Sequence, residues 1–156
     1  MSTLKVNAIT EVDGTAFPFG KVIGQVASFT TSTFNTTSSS FQDVMSVDYT
    51  PSSSSSLIVF DFSAANSTIG NASGNNATLN IKLLKDSTQL INATNATDFA
   101  VGGAEADRIS ATPLVRHMEG NDNTNQRTYK VQFRRADGNT SASLSNGIGI
   151  IIREYS

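Results

Sequence analysis

Few residues in this chain could do chemistry, and their spacing limits what they can be. The single histidine, His117, lies in the run LVRHMEG two residues before Glu119, so an extended strand would put both on one face. Ser110 or Thr112 nearby would complete the composition of a nucleophile and its base, yet no G-x-S-x-G elbow presents a hydroxyl. An incidental surface or interface histidine is expected. A glycosidase would need two carboxylates converging from different strands, and Asp43, Asp48, Asp61, Glu105 and Asp107 are the candidates. Asp61 stands out because it interrupts the apolar run LIVFDF and shares a strand face with Leu57 and Val59. A carboxylate at the margin of the buried zone, paired with Arg134, Arg153 or a backbone donor, is the expectation there.

Other chemistries find less support. Asn121, Asn123 and Asn125 alternate with Asp122 after Glu119, an oxygen-rich run that lacks the central glycine and bidentate glutamate of a calcium loop. A hydrated hairpin tip is expected, with a bound metal as the alternative. Gly102-Gly103 lacks the lysine and spacing of a phosphate cradle. The chain has no cysteine, which removes disulfides, thiolate catalysis and cysteine-based zinc sites. No catalytic residue and no cofactor is expected.

Composition narrows the class. The 156 residues suffice for one domain with a buried core, and 38% are hydrophobic. Only 15% are charged, against roughly 25% in ordinary soluble domains, with Ser, Thr and Asn filling the gap. A net charge of −2 and one basic doublet, Arg134-Arg135, provide no basic face for nucleic acid or an anionic membrane. No apolar run approaches the ~18 residues of a membrane span, and the amino terminus has no secretory-signal pattern, so synthesis and use from a cytoplasm are expected. The N-x-[ST] triplets at Asn35, Asn66, Asn71, Asn76, Asn92, Asn95 and Asn139 then reflect composition, not glycosylation, and are expected to mark loops.

Hydrophobic periodicity keeps returning to two, so these residues must be positioned by strands. Leu79, Ile81 and Leu83 alternate with Thr78, Asn80 and Lys82; Tyr129, Val131 and Phe133 alternate with Thr128, Lys130, Gln132 and Arg134. Residues 57–62 (LIVFDF) and 148–152 (IGIII) are apolar on both faces, as central strands covered by a second sheet or another subunit would be. Further strands are predicted at 4–9, 22–29, 41–49, 89–93 and 109–118. Turn chemistry falls at Asp13-Gly14, Pro51 with serines 52–56, Asn75-Asn76, residues 85–87, Asp137-Gly138 and Asn146-Gly147. The serine run is expected to be a connection inside the domain. Such spacing favours a sandwich or barrel over βαβ units, with at most one helical turn near 99–109. Residues 1–20 form an arm, too short to fold alone, and 21–156 a single domain.

The ordered segments GKVIGQVASFTTSTFNTTSSSFQDVMSVDYTPSSSSSLIVFDFSA, LLKDSTQLINAT, TYKVQFR and IIIREY resemble a recurrent β-module of bacteriophage virion proteins, especially those of marine phages. The opening STLKVNAI, with DGTAF after it, is similar to the amino-terminal peptide of many phage fibre and appendage proteins. The resemblance implies an all-β, antiparallel jelly-roll-like sandwich with an extended N-terminal arm, akin to the trimeric heads of complement and tumour-necrosis-factor proteins. It also implies a virion-surface location after synthesis in a bacterial cytoplasm.

Arm and head are adjacent here, without a long shaft. That favours a trimeric head-decoration or cement protein bound to the major capsid protein or another virion protein, with Leu4, Val6, Ile9, Phe17 and Phe19 as anchor contacts. The alternative is a short tail fibre, collar or appendage that binds a host receptor or glycan. Its exposed recognition loops would include Asn71, Asn75, Asn95, Asn121 and Asn123, in the stretches 66–76, 92–97 and 121–125.

Overall fold

A computed structural model describes residues 20–71, 77–99, 108–111, 113–136 and 139–156. The alternating segments form ten strands: β1 (Val22–Thr30), β2 (Phe34–Thr36), β3 (Gln42–Tyr49), β4 (Leu57–Asn71), β5 (Ala77–Lys85), β6 (Thr88–Phe99), β7 (Arg108–Ala111), β8 (Leu114–Gly120), β9 (Arg127–Arg135) and β10 (Asn139–Tyr155). All pairings among the described residues are antiparallel. One sheet runs β1-β10-β4-β8, with β2 beside β10 and β7 beside β4; the other runs β3-β9-β5-β6. With β7 and β8 counted as one interrupted strand, this is the strand order of a jelly roll.

The alternation predicted for β5 and β9 holds. Leu79, Ile81, Leu83, Tyr129, Val131 and Phe133 are buried and face Ile58, Phe60, Phe62, Ile148, Ile150 and Ile152 of the other sheet. Phe60 and Tyr129 stack across the core with ring centroids 5.9 Å apart.

Several boundaries differ from the sequence expectations. The strand foreseen at 109–118 is two, β7 and β8, with Pro113 in the break; proline donates no ladder hydrogen bond, and its carbonyl accepts instead from Ala64 N–H at 3.2 Å. Asn146-Gly147 does not turn the chain. Its positive φ values, 62° and 91°, make a bulge inside β10, where the register jumps between Ser145 and Ile148. The bulge divides the partners of β10: Ile148 onward pairs with β1, and 142–144 with β2.

The triplets taken as loop markers also sit in strands: Asn35 in β2, Asn66 and Asn71 in β4, Asn92 and Asn95 in β6, and Asn139 in β10. Pairing along the neighbouring strands overrides the weak β-propensity of asparagine. The anchor residues Leu4, Val6, Ile9, Phe17 and Phe19, together with Asn75, Asn76, Asp13-Gly14 and Asp137-Gly138, lie outside the described residues.

The loops gather at two opposite ends. At the first are residues 51–56, the 85–88 turn, residues 121–126, and the chain's entry and exit. Ser156 N–H donates to the Lys21 carbonyl (2.9 Å), and Asn121 N–H to that of Ser56 (2.8 Å). The serine run is indeed an internal connection, strapped to β10 through Glu154.

Candidate functional site: the outer face of the larger sheet

Registers fix which side chains share the outer face of the six-stranded sheet. Phe29 aligns with Gly149, Ser63 and Leu114; Ala27 with Ile151, Asp61 and Arg116; Gln25 with Arg153, Val59 and Met118; Val22 with Tyr155, Leu57 and Gly120. The exposed large apolar side chains among the described residues are Val22 (45%), Phe29 (67%), Leu57 (37%), Leu114 (67%) and Met118 (59%), and every one belongs to these rows. Phe29 is held there by a missing side chain, since a Cβ on Gly149 would meet its ring at 2.5 Å. Strand spacing and rise give the four rows an extent of about 14 by 20 Å.

Asp61 lies in the middle of this surface. It accepts from Arg116 Nε at 2.6 Å and Arg153 Nη1 at 2.9 Å, one of the partners expected from sequence and one not. The carboxylate is 13% exposed and Arg116 61%, so the cluster is a net positive spot within an apolar surround.

The outer face of the four-stranded sheet is unlike it. Asp43 accepts from Gln132 (2.6 Å) and Lys130 (2.9 Å), whose hydrogen bonds hold its carboxyl below the ordinary carboxylate range. Thr128 Oγ1 donates to Asp48 (2.6 Å), and Lys82 and Arg134 lie over the Phe41 ring at 4.1 and 5.0 Å. The described side chains of this face form a net of polar contacts.

The chemistries suggested by the sequence come apart in the folded chain. Asp61 and the pair Asp43 and Asp48 point from opposite outer faces of a sandwich whose sheets pack about 10 Å apart, so they do not converge as a glycosidase pair; Glu105 and Asp107 lie outside the described residues. His117 and Glu119 share the inward side of β8, but Glu119 is committed elsewhere, accepting from Lys85 Nζ and Tyr129 Oη at 2.6 Å each. Burial, then the Glu119 hydrogen bond, pushes the Tyr129 hydroxyl pKa up. Thr112 is outside the described residues. In the 121–125 run, the Arg127 guanidinium takes the position a cation would hold, donating to Asp122 at 2.8 Å and to the Asn123 carbonyl at 3.3 Å.

The recognition-loop residues are not one cluster. Asn71 ends β4 at the end of the sandwich opposite to Asn121 and Asn123, while Asn95 lies within β6 at the edge of the other sheet. Asn121 is buried, not exposed, its amide donating to the Ser53 carbonyl. Sequence reading found the Leu57, Val59 and Ile151 part of the apolar face but missed Phe29, Leu114 and Met118. Their signal is faint: single apolar residues in half-polar strands. A scan of protein-family models finds none that matches the chain, and a search of curated proteins finds no match either.

Proposed function

We propose that this chain is a structural protein of a bacteriophage virion, a head-decoration protein that assembles as a trimer and stabilises the capsid exterior. The observation that carries the reading is the collection of Val22, Phe29, Leu57, Leu114 and Met118 on one outer face, opposite a polar one. Apolar patches of this kind on soluble domains usually have a partner. The four rows, about 14 by 20 Å, supply roughly a third of the about 800 Å² that a stable interface takes from each partner, so the contact between copies must extend beyond this face. The ordered resemblance of the segments from Gly20 onward to phage virion modules supplies the setting, and the arm, with Leu4, Val6, Ile9, Phe17 and Phe19, the seat on the shell.

Light scattering at micromolar concentration tests the self-association half: three copies are expected, and a stable single subunit overturns it. Removing residues 1–19 tests the attachment half. The truncated protein should stay folded yet no longer bind phage heads; retained binding overturns that half. Gold-labelled particles showing the protein on the tail would move the reading to a short fibre or appendage.

A further inference from the structure

We propose that the free edge of β1 (Val22–Thr30) accepts, by strand addition, the segment 4–9 of a second copy. The inference rests on the self-association half of the proposed function and gives residues 4–9 to a neighbouring copy, which leaves Phe17 and Phe19 as the arm's contacts with the shell.

Sheet edges are templates for pairing, and proteins guard them with charges, prolines and bulges. The edges here are guarded unequally. β3 carries Asp43 and Asp48 and a register shift between Asp43 and Met45. β8 carries Arg116 and Glu119, and β6 has two register shifts against β5. β1, reading VIGQVASFT, has neither charge nor proline, and its single irregularity, between Val22 and Gly24, leaves 25–30 in unbroken register with β10. Among the described residues no strand pairs with its other side.

Chemistry and reach select the occupant. Segment 4–9, LKVNAI, is six residues long like the regular part of β1, and it alternates Leu4, Val6 and Ala8 with Lys5 and Asn7. Val26, only partly buried, packs at the lip of the core on the inward side of β1, where an added Leu4 and Val6 would close it. Main-chain ladder bonds would supply affinity and the alternate side chains register.

The path of the chain points to a second copy. Lys21 N–H donates to Ser156 Oγ at 3.3 Å and Ser156 N–H to the Lys21 carbonyl, while Gly20 abuts the Ser156 carbonyl. Gly20 and Lys21 therefore lie beside the end of β10, not on the outer edge of β1. Residues 10–19 span up to about 35 Å, ample to cross to a neighbour.

The absence of native cysteine gives a clean test. Full-length Val6→Cys protein is mixed with Gln25→Cys, Val26→Cys or Ala27→Cys protein, so that both faces of β1 are sampled, and oxidised mildly. Ser46→Cys, exposed on the β3 edge, is the control. A docked strand holds its partner at millimolar effective concentration, so at least one β1 pair should cross-link roughly a hundredfold faster than the control at micromolar protein. Rates equal to the control, in protein that light scattering shows to be associated, overturn the β1 assignment and leave the proposed function standing. A monomer by scattering overturns both. Intrachain closure of the Val6→Cys/Ala27→Cys double variant at high dilution overturns the choice of a second copy.

Discussion

Glu154 is the most deeply buried charged group among the described residues. It continues the inward row Ile148, Ile150, Ile152 at the end of β10 and is 0% exposed. Its carboxylate accepts from Tyr49 Oη (2.7 Å), Ser52 N–H (2.8 Å), Ser53 N–H (2.9 Å) and Ser56 Oγ (2.6 Å). Burial alone would raise its pKa, but the Ser52, Ser56, Tyr49 and Ser53 hydrogen bonds outweigh that and hold it at about 2, against an ordinary 4.5. A carboxyl with a folded pKa below its unfolded one favours folding where both states are ionised. That contribution is intact above about pH 4.5 and is lost as the pH falls towards 2. Glu154→Gln keeps the shape, loses the charge and turns an amide toward four donors, so it should cost about 2–3 kcal/mol at neutral pH in denaturant melts. The loss should shrink as acid protonates the wild-type group. A variant as stable as wild type at pH 7 would mean that the serine strap does not depend on the charge.

The long strands β4 and β10 show what the sequence made legible and what it did not. Period-two patterning was sufficient for β5 and β9, because both keep one face inward throughout. It failed for β4, where the inward positions change parity from Ile58, Phe60, Phe62 and Ala64 to Ser67 and Ile69, so a continuous strand looked like a short one followed by a polar loop. The bulge at Asn146-Gly147 lies opposite that change. Gly147 at φ 91° should therefore resist a side chain: Gly147→Ala is expected to cost about 1–2 kcal/mol and to lower the melting temperature by several degrees. Unchanged melting would mean that the bulge is free to relax. The apolar face was half-legible for a related reason. Phe29, Ile151 and Leu114 come to share one outer face only through strand register, and no local pattern records which residues of distant strands will do so.

The sandwich has two unlike outer faces, and the Asp61 cluster offers a way to ask which of them is covered in solution. In an isolated subunit, Asp61 with Arg116 and Arg153 is a surface group, and exposed ion pairs contribute only about 0–1 kcal/mol. Asp61→Ala should then leave the melting of a dilute, dissociated subunit nearly unchanged. Covered by another copy, the same substitution leaves two guanidiniums desolvated without their carboxylate, and stripping one partner from a buried charge pair costs about 2–5 kcal/mol. The dissociation constant from sedimentation should accordingly rise at least about thirtyfold, since each 1.4 kcal/mol is a factor of ten. Ser46→Asp on the polar face should move neither quantity. Equal, small effects of both substitutions on association would place the contact away from the larger sheet, whereas a large effect of Asp61→Ala confined to association requires that its outer face be the one that meets a partner.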